Sequence, residues 1–247
     1  MRPVEAVIFD KDGVLVDFER TWTPAIRAAA LHLADGDEDR ALELLRMVGY
    51  DDASGTFLPG SVWAAGTNED LIDVWVADAP PEERARLVDF MGRHCEAVDP
   101  VPVVDPRRLR ERMLLLKAGG LLLAVVSNDT TRSVRRTAEG FGIADLLDFT
   151  CGYDSVPRGK PHPDPALAFA KACGVPPARI AVIGDNVHDG EMARAAGCGP
   201  FIGVLSGNSG HEELAPLADA IVADALEAAD LVAEFSTGSI DAGLARL

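Results

Sequence analysis

Basic residues are scarce in this 247-residue chain: 23 Lys and Arg stand against 40 Asp and Glu, giving a formal net charge of -17 and a sequence pI near 4.6. A surface that acidic repels nucleic acid and anionic membranes, and a site for an anionic ligand must bring its own metal, lysine or backbone amides. Cysteine is sparse too. Cys95, Cys151, Cys173 and Cys198 are scattered and form no CxxC pair, which argues against a disulfide framework or a zinc centre and for reduced thiols in a cytoplasmic protein. Long apolar runs are missing. Stretches such as Leu121–Val126 are far too short to span a bilayer, and Met1-Arg2-Pro3-Val4 leads into a strand without the apolar core of a signal peptide. The chain has no Gly-x-Ser-x-Gly elbow, so a Ser-His-Asp hydrolase is disfavoured, and His162 and His188 are read as loop or helix-start residues. Internal repeats and low-complexity tracts are also lacking. The 48% hydrophobic and 26% charged content is that of an ordinary globular protein, with enough chain for a large core and two domains.

What is present is an alternation of short apolar runs and helical patterns. The runs fall at Val4–Phe9, Leu121–Val126, Phe149–Cys151, Ile180–Ile183, Phe201–Val204 and Ala220–Val222, each bounded by polar or glycine residues, and read as buried strands. Helices are expected at Leu109–Lys117, at Thr130–Glu139 and from Asp164, read as an N-cap before Pro165, to about Cys173. That order predicts an α/β fold, a doubly wound parallel sheet. Residues 17–98 break the alternation: Pro24–Leu33, Glu38–Val48, Asn68–Asp78 and Pro81–His94 read as helices inserted after the first strand. The proline-rich stretch Asp99–Pro106 reads as the return linker. The expected division is a core of 1–16 and 99–247 with a helical insertion of 17–98, and the tail Ser236–Leu247 is read as one more short helix.

The chemistry-bearing residues gather at strand ends. The first strand runs into Asp10-Lys11-Asp12-Gly13, where two carboxylates two residues apart lean to one side if the extended geometry persists. Such a pair is repulsive unless a cation or proton lies between them, which suits a divalent metal with a nucleophile and an acid/base; a solvated acidic turn is the other reading. An EF-hand is excluded by Leu15 and Thr21 at the sixth and twelfth positions. Ser127-Asn128-Asp129 follows the second core strand, Gly184-Asp185-Asn186 follows Ile180–Ile183, and Lys160 lies in the loop before the Asp164 helix. Open α/β sheets bind ligands at the carboxyl ends of their strands, so four segments can converge on one crevice.

With these residues in order, the sequence resembles the haloacid dehalogenase (HAD) superfamily of phosphotransferases. The matching motifs are Asp10-Lys11-Asp12-Gly13-Val14-Leu15, Ser127-Asn128, Lys160 in Gly159-Lys160-Pro161-His162-Pro163-Asp164-Pro165, and Gly184-Asp185-Asn186-Val187-His188-Asp189. The resemblance covers about 1–16 and 100–235, within which Gly207–Val222 looks like the family's C-terminal region, and the helical insertion matches the C1-capped subclass that includes phosphoglycolate phosphatase-like and β-phosphoglucomutase-like enzymes. It implies a HAD-type Rossmannoid core with an inserted α-helical C1 cap domain, and a Mg2+ ion. It also implies that Asp10 attacks phosphorus to give an aspartyl-phosphate and that Asp12 exchanges the proton. By the same resemblance the metal is held by Asp10, the backbone carbonyl of Asp12 and Asp185. Asp189 would hold a metal-bound water or orient Lys160, Ser127 and Asn128 would bind the phosphoryl oxygens, and Lys160 would offset charge.

Asp12 distinguishes the options within the family, because haloacid dehalogenases lack an acid there. The expected activity is a phosphatase acting on a small phosphorylated metabolite, phosphoglycolate phosphatase-like, without nucleic-acid or membrane partners, as a monomer or homodimer. A sugar-phosphate mutase is the alternative, although Gly66–Leu71, which looks like the cap's substrate loop, offers no cation for a second phosphate. Arg20 or Arg27 could still reach the substrate. A non-catalytic receiver-like phosphoacceptor is the reading from a different class. Trp22, Trp63 and Trp75 read as core of the insertion, and His32 and His94 as its surface.

Overall fold

The structure, a computed structural model, describes residues 3–237. The chain forms two compact units, one of residues up to Asp17 and from Pro102 onward, the other of Phe18–Val101. Strand β1 (Ala6–Asp10) opens the first unit. The second unit follows with α1 (Phe18–Leu33), α2 (Glu38–Met47), the short strands β2 (Tyr50–Asp51) and β3 (Thr56–Phe57), α3 (Val62–Ala65), α4 (Asn68–Trp75) and α5 (Pro81–Glu96). The first unit resumes with α6 (Pro106–Ala118), β4 (Leu122–Val126), α7 (Thr131–Gly140), β5 (Phe149–Cys151), α8 (Asp164–Cys173) and β6 (Ile180–Gly184). It ends with α9 (Val187–Ala196), β7 (Phe201–Val204), α10 (His211–Leu214), β8 (Ala220–Val222) and α11 (Ala225–Thr237).

Six strands of the first unit form one parallel sheet in the order β5-β4-β1-β6-β7-β8. The chain winds outward from β1 through β4 to β5, then crosses back to β6 and winds the other way. The switch point therefore lies between β1 and β6, where such sheets open a crevice at their carboxyl ends. The sheet is buried on both faces, which is why its strands read as continuous apolar runs. Val7 and Phe9 of β1, Leu123 and Val125 of β4, and Ala181 and Ile183 of β6 face the layer of α6, α7 and α11. The alternate residues Ala6, Ile8, Ala124, Val126, Ile180 and Val182 face α8, α9 and Leu214 of α10. The doubly wound parallel sheet expected from the alternation is the observed fold.

The second unit has its own core, in which Ile26, Ala29 and Ala30 of α1 meet Leu45, Phe57, Leu71, Ile72, Trp75 and Met91. Trp22 and Trp75 are buried, and Trp75 Nε1 donates to Leu44 O at 2.8 Å. His32 is exposed, whereas His94 is half-buried and stacks on Phe90. Helix α1 starts at Phe18, ahead of the Pro24 start expected from proline's preference for a first turn. Phe18, Thr21 and Trp22 extend its buried stripe backward, so burial outweighs the hydrogen bond lost at Pro24. The β2–β3 pair, too short to give a period, was not expected, and neither was α11, which buries Ala225, Ala228 and Ala229. Of the expected tail helix Ser236–Leu247, residues 238–247 lie outside the described ones. All four cysteines are free, and burial pushes the Cys198 thiol up to about 12. No helix among the described residues is long and apolar enough to cross a membrane.

Phe169, fully buried against the β4–β6 face, tests this packing. Phe169→Ala should lower the unfolding free energy by about 3–5 kcal/mol, read from urea denaturation midpoints.

Candidate active site

Three carboxylates and one ammonium meet at the switch point. Asp10 ends β1, and its Oδ1 lies 2.8 Å from Lys160 Nζ. The same ammonium lies 2.7 Å from Asp189 Oδ1. Oxygens of Asp10, Asp185 and Asp189 all fall within 4.8 Å of one another, and all three side chains are buried. Asp10 Oδ1 also accepts from the Lys11 N–H at 2.6 Å.

Local sequence explains these positions. Asn186 caps α9, its Oδ1 accepting from His188 N at 3.1 Å, and Asp189 closes the capping box by accepting from Asn186 N at 3.1 Å through Oδ2. One carboxylate thus starts a helix with one oxygen and holds Lys160 with the other. Asn128 fixes Lys160 through the main chain: its Oδ1 accepts from Lys160 N at 2.8 Å and its Nδ2 donates to Lys160 O at 2.9 Å. The Asn128 side chain is therefore engaged by the lysine loop. Ser127 Oγ accepts from Asp129 N at 3.0 Å and donates to Asp12 Oδ2 at 3.4 Å. Asp12 therefore turns toward Ser127, while its neighbour Asp10 joins the carboxylate cluster.

The electrostatics are those of charge crowded out of water. Burial, followed by the Asp189 charge, holds the Asp10 carboxyl well above the usual carboxylate range, with Lys160 opposing. Burial and Asp189 likewise raise Asp185 to about 7, against the N–H of Asn208. Burial pulls the Lys160 ammonium down, but Asp10 and Asp189 more than offset it, so it stays protonated. A buried all-oxygen donor set with more negative than positive charge fits a hard divalent cation, which would favour the ionised carboxylates.

Two groups of residues escaped sequence reasoning. The first is the turn after β7. Asn208 N donates to Asp185 Oδ2 at 2.9 Å, and Ser206 Oγ donates to Gly13 O at 2.7 Å. A Cβ at Gly207 would lie 1.9 Å from Asp185 Oδ2, and one at Gly13, whose φ is +75°, would lie 2.3 Å from Asp185 Cγ, so two glycines sandwich this carboxylate. The available signal was a glycine-containing polar turn at the end of the strand beside β6. The second is Lys11, fully buried between the two aspartates. Its ammonium lies 2.5 Å from Asp129 Oδ2, 3.1 Å from Asp12 Oδ2 and 3.2 Å from Ser133 Oγ. Burial alone would pull that ammonium down, but Asp12 and Asp129 raise it above the ordinary lysine value. A lysine continuing an apolar strand was the cue.

In the second unit, the Gly66–Leu71 segment builds a capping box, with Thr67 and Asp70 bonding each other at the start of α4. Arg27 donates to the Tyr50 hydroxyl at 2.5 Å.

Comparison with known proteins places these features in a lineage. Residues 4–197 match the family model of haloacid dehalogenase-like hydrolases. Over 213 residues, 83% of this chain and 82% of the relative, the sequence is 30% identical to a phosphoglycolate phosphatase of Shigella boydii. The crystal structure of a predicted phosphoglycolate phosphatase from Haemophilus somnus superposes with a TM-score of 0.67 at 24% identity, covering 94% of this chain and 99% of that one. A β-phosphoglucomutase from Clostridium difficile superposes with a TM-score of 0.68 at 18% identity, covering 96% and 98%, a likeness of fold alone.

Gly207→Ala tests the glycine sandwich. The added methyl should displace the Asp185 carboxylate and weaken divalent-cation binding by about 10–100-fold in calorimetric titration, with the urea midpoint little changed.

Proposed function

The chain belongs to the haloacid dehalogenase-like hydrolase family, and from that premise we propose a Mg2+-dependent phosphatase that cleaves a small phosphorylated acid of the 2-phosphoglycolate kind through an aspartyl-phosphate. The reading is carried by Lys160, whose ammonium bridges Asp10 and Asp189 inside a buried carboxylate cluster at the carboxyl end of the sheet. The substrate class follows the curated relatives named phosphoglycolate phosphatase, and a cytoplasmic location follows the reduced thiols.

Asp10 is the nucleophile. An ionised carboxylate needs no base, and it forms a bond to phosphorus as the ester P–O bond breaks. Asp12 gives its proton to the departing alkoxide oxygen, then takes one from the water whose oxygen attacks phosphorus, which releases phosphate and restores Asp10. Lys160 offsets the charge of phosphate approaching an anionic residue. The Ser127 hydroxyl and the Asn128 N–H bind phosphoryl oxygens beside the N-terminus of α7, whose dipole favours anions. Asp10, the backbone carbonyl of Asp12 and Asp185 would hold Mg2+, with Asp189 beside them. The ion supplies Lewis-acid polarisation of the phosphoryl group and charge neutralisation. By the same family logic the Phe18–Val101 unit is the cap that selects the leaving group.

The test is phosphate release from 2-phosphoglycolate. Wild-type protein with Mg2+ should turn over, and chelation should abolish it. Asp10→Asn should lower kcat by about a thousandfold or more, without the phosphorylated protein that acid quench traps from wild type. Full activity in Asp10→Asn, or no phosphate release from any small phosphate ester, would overturn the proposal.

A further inference from the structure

Successive residues of a strand face opposite sides, so Val7 and Phe9 line the cluster beneath α6, α7 and α11. Lys11, one residue past β1, continues their row, and an apolar side chain would be expected there. The ammonium instead reaches three oxygens: Asp129 Oδ2 at 2.5 Å, Asp12 Oδ2 at 3.1 Å and Ser133 Oγ at 3.2 Å. Asp129 just precedes α7 and Ser133 lies in its first turn, where its N–H donates to the Thr130 cap at 3.2 Å. Burying a lysine costs desolvation that an apolar residue of similar volume would avoid. This lysine joins the turn after β1 to the start of α7.

What it secures is Asp12. The Lys11 ammonium and the Ser127 hydroxyl, on two different segments, converge on the same oxygen, Oδ2. Two anchors on one oxygen fix the rotation of the carboxyl group, and a proton donor misplaced by an ångström loses about a hundredfold in rate.

The geometry points to Lys11 as the positioning residue of Asp12, a brace that ties the proton-exchanging carboxylate to the first turn of α7. This inference rests on the phosphatase reading, in which Asp12 protonates the departing oxygen. The brace should matter in proportion to how much the leaving group needs that proton. An alkoxide needs it as the P–O bond breaks, whereas a dinitrophenolate leaves without it. Damage to folding, to the cation site or to Asp10 would slow both kinds of ester alike.

The experiment compares kcat/KM, which reports the first phosphoryl transfer, for 2-phosphoglycolate and 2,4-dinitrophenyl phosphate with Mg2+. Lys11→Met, an uncharged side chain of similar length, should lower the alkyl value about a hundredfold and the aryl value less than about tenfold. Asp129→Asn keeps Lys11 but removes the negative charge at its shortest contact, at a side chain 20% exposed, and should show the same selectivity to a smaller degree. If Lys11→Met does not fold, Asp129→Asn carries the test alone. Equal losses on the two esters, or no loss, would overturn the role of Lys11 while leaving the phosphatase reading intact. A wild-type protein that releases phosphate from neither ester would overturn both.

Discussion

One ammonium between two buried carboxylates is the contact on which the rest of the site depends. Asp10, Asp185 and Asp189 lie closer together than like charges tolerate out of water, and Lys160 is the side chain that offsets part of that repulsion. Its position is secured twice. Asn128 grips its main chain on both sides, and Asp189, itself fixed by capping α9, holds the charged end. The negative charge that remains is what suits the cluster to a hard cation.

The sheet supplies the precision. Asp10 closes β1 and Asp185 follows β6, and these neighbouring strands are paired from Ala6–Ile180 to Phe9–Ile183. Both strands are buried on both faces, so neither can slide without exposing apolar side chains. Rigid strands hold the acids, and loops bring the lysine, the serine and the turn after β7. A second ionic group, centred on Lys11, lies on the opposite face of β1 and gives Asp12 surroundings unlike those of Asp10.

Much of this was legible in the sequence, for identifiable reasons. Strands buried on both faces are unbroken apolar runs, so β1, β4, β6, β7 and β8 could be read within two residues of their bounds. The aspartates and Lys160 could be read because they follow those runs in a fixed order. Less was legible where a residue's role depends on a distant partner. Nothing local says that the Asn128 side chain faces the Lys160 main chain, or that Gly207 is small because Asp185 lies against it. Nor does anything local say that Lys11 reaches Ser133 in the first turn of α7. Pro24 looked like a start signal because local preference cannot weigh the burial of Phe18 and Trp22 on the preceding turns.

The place of the insertion has a consequence for biosynthesis. Strand β1 is central to the sheet, yet its partners β4 and β6 begin only at Leu122 and Ile180. A ribosome adding about 5–20 residues per second leaves that apolar strand unpaired for on the order of ten seconds. During the wait the Phe18–Val101 unit emerges with an apolar cluster of its own, built from contacts nearer in sequence. The nucleophile candidate that closes β1 is thus made well before Lys160, Asp185 and Asp189, the lysine and the fellow carboxylates that it meets in the folded site.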